Sequence, residues 1–115
     1  LIVGDDLFVT NPERIKQGGK MKAATGVIIK PDQIGTLLRT HQAVSTARDF
    51  GMRIIVSHRS GDTEYRTLAH IAVGLGAEVI KTGIMGGERT TKLNELIRIG
   101  EYLGKWAKIS QIRRL

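Results

Sequence analysis

The sequence predicts an α/β fold built from four consecutive βα units with parallel strands. Short apolar runs, each closed by a polar or charged residue and a loop, alternate four times with segments of helical apolar spacing. The apolar runs are continuous, which is typical of strands buried on both faces of a parallel sheet. No low-complexity linker interrupts the series, so the four units are expected to belong to one structure.

Each element follows from local signals. Four strands are predicted, near residues 1–4, 26–30, 53–57 and 78–81. Four helices are predicted after them, over about residues 12–21, 36–49, 63–75 and 88–103. Asn11 and Pro12 form an N-cap and first-turn pair for the first helix, and Gly51 is a C-terminal stop for the second. Pro31 should end pairing of the second strand, because it lacks a backbone N–H.

Size and composition limit the alternatives. The 115 residues suffice for one domain but not for a complete eight-stranded α/β barrel, which needs about 250 residues. Because the chain also begins at Leu1 and not at Met, we expect it to be part of a longer protein. Hydrophobic residues make up 41% and charged residues 25%, which excludes the disordered class. No apolar run is long enough to span a bilayer, and the absence of cysteine excludes disulfides and thiolate sites.

The net charge of +7 makes nucleic acid or a small anion a reasonable first candidate partner. Four of these charges lie in the last eleven residues, on Lys105, Lys108, Arg113 and Arg114, with no acid among them. The excess is therefore mainly a basic tail over residues 105–115. We interpret this tail as a solvated terminal segment and do not expect nucleic acid as a partner; polyanion binding by the tail is the alternative.

Titratable residues close the four predicted strands: Asp5, Lys30, His58 and Lys81. Because parallel strands end at the same edge of a sheet, and α/β proteins build active sites there, we expect these side chains to lie together. The neighbouring carboxylates of Asp5 and Asp6 are hard oxygen ligands suited to Mg²⁺. Only one of the two should face the site, since adjacent strand residues point to opposite faces.

Lys30 and Lys81 would flank such a metal ion. A nearby metal ion and a second cation disfavour the ammonium form of a lysine, so it can act as a base. Purely structural ion pairs with Asp5 or Asp6 are the alternative. Residues 58–61, His-Arg-Ser-Gly, combine a guanidinium, a hydroxyl and a flexible backbone and so suit an anion, although a capped turn would use the same residue types.

Several strings resemble the enolase family in order and spacing. They are Val3-Gly4-Asp5-Asp6-Leu7-Phe8-Val9-Thr10-Asn11-Pro12, Ile29-Lys30-Pro31-Asp32-Gln33-Ile34-Gly35-Thr36, Val56-Ser57-His58-Arg59-Ser60-Gly61-Asp62-Thr63, Ile80-Lys81-Thr82-Gly83 and Lys92-Leu93-Asn94-Glu95-Leu96-Ile97-Arg98-Ile99. Together they cover almost the whole chain to about Leu103, and two further forms, Lys30-Pro31 and residues 86–89, look archaeal. The resemblance implies half of a TIM-type (β/α)8 barrel, the C-terminal half, over residues 1–104, followed by the basic tail 105–115.

The resemblance also implies a cytoplasmic, Mg²⁺-dependent lyase of glycolysis that interconverts 2-phosphoglycerate and phosphoenolpyruvate. It assigns six residues: Asp5 as a Mg²⁺ ligand, Lys30 as the base for the C2 proton, Arg59 and Ser60 as phosphate ligands, His58 as a pocket residue, and Lys81 facing the substrate carboxylate. A lysine base working with Mg²⁺ is the known division of labour in this superfamily.

Some parts of the family pattern are absent from the sequence. Two further acidic Mg²⁺ ligands, the glutamates that act on the departing hydroxyl and a small N-terminal domain precede the matching region in the family. We therefore expect the isolated chain to be inactive and to need a complementary N-terminal half or a homo-oligomer. Asp32 stands where asparagine is usual, and its charge favours the protonated form of Lys30. The alternative function is a non-catalytic half-barrel that binds a phospho-ligand, a protein or RNA.

Overall fold

The structure, a computed structural model, describes residues 1–112. Strands and helices follow one another in the order β1 (Val3–Gly4), α1 (Pro12–Lys20), β2 (Gly26–Ile29), α2 (Pro31–Ile34), α3 (Leu37–Asp49), β3 (Arg53–Ser57), α4 (Thr67–Gly74), β4 (Val79–Lys81) and α5 (Gly87–Leu103). A 3₁₀ turn, Gly104–Trp106, follows α5. No helix within these 112 residues has both the length and the apolar character that a membrane crossing requires.

The four strands form one sheet in the order β1-β2-β3-β4, and every pairing is parallel. This confirms the predicted series of βα units. The sheet is an open layer and not a closed barrel, because within the described residues β1 and β4 each pair on one side only. The strand expected at residues 1–4 is shorter than predicted, since at Ile2 the backbone N–H donates to the Thr25 hydroxyl instead of to a strand carbonyl.

The two faces of the sheet differ in burial. The face covered by helices, the helix face, carries fully buried strand residues: Val27, Ile29, Ile54 and Val56. The opposite, inner face lines an open cavity of about 540 Å³, bordered by Val3, Ile28, Ile55, Val79, Ile80, Lys81, Thr82, Gly83, Ile84 and Leu93. The prediction that the strands are buried on both faces of the sheet is therefore only partly right. On this inner face Ile55 is 6% exposed whereas Val3 keeps 36% of its surface exposed, so residues 1–112 cover the inner face only in part.

Two helices depart from the predictions. Pro31 ends β2 as expected but also starts the one-turn helix α2, for which Pro at the first position is well suited. Gly35, in the left-handed conformation at φ 91°, closes that turn. Helix α4 begins at Thr67 and not near residue 63. Residues 63–66 lie in the loop before the helix, where the Thr63 carbonyl accepts a bond from Lys92.

The turn after β1 is held by one aromatic side chain. Phe8 is 1% exposed and lies between Gly4 at the end of β1 and Gly18 in α1. A Cβ atom at either glycine would overlap the Phe8 ring. Both glycines are therefore required by close packing, and they fix α1 against the strand that carries Asp5.

This packing predicts that Gly18→Ala destabilises the chain. Overlap with the rigid Phe8 ring should cost about 2 kcal/mol of the free energy of unfolding, even though alanine is the better helix former. Gly100→Ala is the matched control, because Gly100 lies inside α5 with open space where a Cβ would go. It should gain up to about 1 kcal/mol. Urea denaturation of both variants measures this, and equal effects would contradict the packing argument.

The chain beyond α5 carries the basic residues of the predicted tail. Residues 107–112 have no regular secondary structure and are exposed. The Lys105 ammonium lies 5.4 Å from the centre of the Trp106 ring, a cation–π contact. Lys108 lies within this segment. Arg113 and Arg114, the other half of the tail's charge, fall outside the described residues.

Candidate active site

Strand register brings several of the candidate residues to the inner face at one edge of the sheet. Ile55 lies opposite both Ile28 and Val79 in the sheet, and Ser57 lies opposite Lys81. Lys81 follows Val79 by two residues, and Lys30 follows Ile28 by the same spacing. Because strand side chains alternate, this spacing puts the two lysines on the inner face with the cavity. We call the end of the sheet where they lie the carboxyl edge.

Asp5 and Lys30 form an ion pair at the carboxyl edge. The Lys30 Nζ donates to Asp5 Oδ1 at 2.6 Å. The lysine side chain is 14% exposed and the aspartate side chain 35%, so the pair is reachable from the inner side without being fully solvated. Asp6 is exposed in the turn that follows β1. This ion pair is the contact expected if Lys30 has a purely structural role. It also places the amino group of Lys30 beside the carboxylate of the candidate Mg²⁺ ligand, Asp5.

Thr10 holds Lys30 in place, and the sequence analysis gave it no role. It is fully buried, its hydroxyl oxygen accepts from the Lys30 backbone N–H at 2.9 Å, and its hydroxyl donates to the Gln33 side chain at 3.0 Å. Val9 and Thr10 both have positive φ, at 45° and 56°. Left-handed backbone is uncommon for β-branched residues and is found most often where a functional site imposes it. Thr10 stands in one of the strings that resemble the family, but its role is visible only from its contacts with Lys30 and Gln33 in the folded chain.

The loop of residues 58–66, between β3 and α4, carries the proposed anion-binding residues. Its first residue, His58, is held to β4, because the backbone N–H and ring Nδ1 of His58 both donate to the Lys81 carbonyl, at 3.2 and 2.7 Å. Arg59 and Ser60 follow and are exposed. Their side chains are thus accessible to a ligand beside β4. The Lys81 side chain is exposed at the same edge.

Lys92 in α5 holds the far part of this loop and was also missed by the sequence analysis. Its side chain is fully buried, and its Nζ lies 3.1 Å from Asp62 Oδ2. The same group donates to the carbonyl oxygens of Thr63 and Glu88 at 2.5 and 2.7 Å, and it lies 5.0 Å from the Tyr65 ring centre. A lysine inside an amphipathic helix pattern usually indicates a solvated face, so nothing in its spacing distinguishes it.

Burial and nearby charge affect Tyr65. Desolvation raises the pKa of the Tyr65 phenol above its ordinary value, and the negative charges of Asp62 and Asp32 add to this effect. Asp32, the residue that stands where asparagine is usual, is exposed in the first turn of α2. The negative charge of Asp32 therefore acts on Tyr65, a residue of the 58–66 loop.

The described residues offer part of a metal site. Asp5 has the carboxylate chemistry that Mg²⁺ prefers and lies at the carboxyl edge. No group of three or more His, Cys, Asp or Glu side chains within residues 1–112 is arranged to hold a metal ion. The donor set present thus fits one or two ligand positions of a Mg²⁺ site, and further ligands would have to come from outside this part of the chain.

A second titratable cluster packs α4 against α5. Glu95 is 7% exposed and accepts bonds from His70 at 2.9 Å and from Arg98 at 2.9 Å. The guanidinium of Arg98, followed by the His70 imidazole, holds the pKa of the Glu95 carboxyl below its usual range. Arg66, the last residue of the 58–66 loop, also donates to Glu95 at 3.4 Å, so the cluster joins the two helices to the end of that loop, and we assign it to packing.

Comparison with known proteins identifies relatives over nearly the whole chain. The family model described as "Enolase, C-terminal TIM barrel domain" matches residues 1–114. An enolase of Pyrobaculum aerophilum is 88% identical over 113 residues, 98% of this chain. An enolase of Archaeoglobus fulgidus is 58% identical over 91% of the chain, and one of Halobacterium salinarum is 54% identical over 88%.

These relatives are much longer than the chain. The matched region covers 27% of the Pyrobaculum aerophilum protein, 26% of the Archaeoglobus fulgidus protein and 25% of the Halobacterium salinarum protein. The chain therefore spans about a quarter of the length of the curated relatives it matches.

Proposed function

Because the chain belongs to the enolase family, matching its C-terminal TIM barrel domain, we propose that it supplies one side of a cytoplasmic, glycolytic lyase site that interconverts 2-phosphoglycerate and phosphoenolpyruvate. The observation that carries the proposal is the grouping at the carboxyl edge. There, Lys30 lies 2.6 Å from Asp5, Lys81 is exposed on the same face, and His58 ties the Arg59–Ser60 segment to the Lys81 carbonyl.

Lys30 is the proposed base for the C2 proton of 2-phosphoglycerate. Its backbone is anchored by Thr10 and its side chain is largely enclosed, so the amino group has a defined position. A base has to reach the proton it removes within hydrogen-bond distance, and such anchoring limits the positions it can take. To act as the base, Lys30 has to be a neutral amine, so its ammonium would first give up a proton to solvent or to a neighbouring group and release its contact with Asp5.

Lys81 is proposed to face the substrate carboxylate. Removing a proton next to a carboxylate concentrates negative charge in the transition state, and a fixed ammonium group stabilises that charge more than it stabilises the substrate. Arg59 and Ser60 would bind the phosphate by charge-assisted hydrogen bonds. His58 lines the space between them and Lys81.

Asp5 is the proposed contribution of this chain to Mg²⁺ binding. When bound, Mg²⁺ supplies positive charge beside the reacting carboxylate. The remaining acidic ligands and the groups that act on the departing hydroxyl would come from a complementary N-terminal half. Support for such a partner comes from the partly exposed inner face, and from β1 and β4, which pair on one side only within residues 1–112. A second copy of the chain would cover the same face without supplying those ligands.

A graft provides the test. In the Pyrobaculum aerophilum enolase, the 113 matched residues are replaced by those of this chain, which gives a grafted enolase with all other parts supplied. We expect this protein to dehydrate 2-phosphoglycerate in the presence of Mg²⁺, and the chain alone to show no measurable reaction.

Two outcomes would contradict the proposal. Robust dehydration by the chain alone would show that nothing essential is missing from it. A grafted enolase that folds and binds 2-phosphoglycerate without turning it over would favour the alternative of a non-catalytic half-barrel. Sedimentation of the chain alone shows in parallel whether a second copy occupies the inner face.

A further inference from the structure

We infer that Lys92 is a positioning residue that holds the 58–66 loop so that Arg59 and Ser60 can bind the substrate phosphate. The inference rests on the proposed function of those two residues. Lys92 itself is fully buried and does not lie on the surface open to a ligand. Its effect on the substrate would therefore pass entirely through the loop.

Lys92 makes two hydrogen bonds and one ion pair. An ammonium group has three N–H donors and no acceptor. Three oxygens surround it, from the Asp62 carboxylate, the Thr63 carbonyl and the Glu88 carbonyl, at 3.1, 2.5 and 2.7 Å. Two of these acceptors belong to the loop and the third to the first turn of α5. The ammonium group thus joins the loop directly to the start of this helix.

The loop is consequently anchored on both sides of Arg59 and Ser60. On the first side, His58 is bonded to the Lys81 carbonyl through its backbone N–H and its ring. On the second side, Asp62 forms an ion pair with Lys92, and the next residue, Thr63, accepts a hydrogen bond from it. The three residues between these anchors, 59–61, contain both proposed phosphate ligands, and their exposed side chains need the anchors to keep one arrangement.

Stability alone does not require a charged group at this position. A buried ammonium stays charged at a considerable desolvation cost, and an apolar side chain of similar length would fill the space without it. What only the ammonium supplies is an ion pair with Asp62 together with two directed hydrogen bonds to backbone carbonyls. Glu64 adds a further close contact between loop and helix, since a Cβ at Gly87 would overlap its carboxylate.

The first experiment measures loop order in the 115-residue chain itself, by amide hydrogen exchange. In Lys92→Met the amides of residues 59–63 should exchange at least about tenfold faster than in the unsubstituted chain, because a buried bond to a charged group is lost. Amides of β2 should change far less. This measurement needs neither substrate nor activity, so it tests the anchor even if the proposed function is wrong.

The second experiment measures kinetics in the grafted enolase. Lys92→Met should raise KM for 2-phosphoglycerate about tenfold, with a much smaller change in kcat, since the loop would bind phosphate equally in the ground and transition states. If the unsubstituted graft is inactive, the proposed function fails while the exchange result still decides the anchor.

Two further variants keep the inference testable. Asp62→Asn preserves the two carbonyl contacts of Lys92 and removes only the charge of one anchor, so it should fold and give a smaller rise in KM even if Lys92→Met does not fold. Val44→Ala, which opens space in the core under α3, should lower stability and leave KM unchanged. Unchanged KM and unchanged loop exchange in both loop variants would overturn the inference, as would a loss confined to kcat.

Discussion

Replacing Lys30 with alanine in the grafted enolase is expected to abolish exchange of the C2 proton of 2-phosphoglycerate with solvent. Loss of a general base typically costs about 10² to 10⁴ in rate. Exchange reports the proton transfer alone, whereas overall dehydration also depends on loss of the hydroxyl. The measurement is deuterium incorporation at C2 in D₂O with Mg²⁺, followed by NMR or mass spectrometry.

A control is needed because Lys30→Ala also leaves the Asp5 carboxylate without its partner. Lys16→Ala removes the same charge from the exposed face of α1 and should leave exchange unchanged. Thermal unfolding of both variants shows whether the ion pair matters for stability. Exchange at the unsubstituted rate in a folded Lys30→Ala protein would eliminate this residue as the base.

Replacing Lys81 with alanine is expected to weaken both substrate binding and turnover. The removed ammonium group would face the substrate carboxylate, and its charge is needed most as negative charge builds up during proton removal. Removing one such electrostatic group costs about 10² to 10³ in kcat in comparable sites. Steady-state kinetics of the grafted enolase give kcat and KM separately.

The structure makes Lys81→Ala a clean substitution. The contact that anchors His58 uses the Lys81 backbone carbonyl, which alanine retains. The 58–66 loop should therefore keep its position, and loop exchange should match that of the unsubstituted chain. A rise in KM with unchanged kcat would mean that Lys81 binds substrate and transition state equally, contrary to the proposed role.

Much of the fold could be predicted from the sequence because its signals are local. Continuous apolar runs marked all four strands, and the Asn11–Pro12 pair placed the start of α1 at the observed residue. The start of α4 was predicted too early, because residues 63–66 belong to a loop that is held by tertiary contacts, among them the bond from Lys92 to the Thr63 carbonyl. Burial of the inner face was overestimated because apolar strand residues do not reveal whether a covering layer is present.

The candidate site was predicted in outline by two kinds of argument. Residues at strand ends pointed to the carboxyl edge, and family resemblance assigned roles to them; those roles stay predictions. Thr10 and Lys92, which hold Lys30 and the 58–66 loop, were missed. Each acts through backbone atoms of distant residues, and the identity of a side chain in a helix or turn gives no indication of such partners.

The strand order β1-β2-β3-β4 has a consequence for how the chain acquires its structure. Each strand pairs with the one that precedes it, so every pairing closes a segment of one βα unit and none has to be inserted between strands already joined. Because the entropy cost of closing a loop rises with its length, pairing each strand with its predecessor is the least costly order in which a parallel sheet can form. The sheet can thus be extended one unit at a time while the polypeptide is still leaving the ribosome.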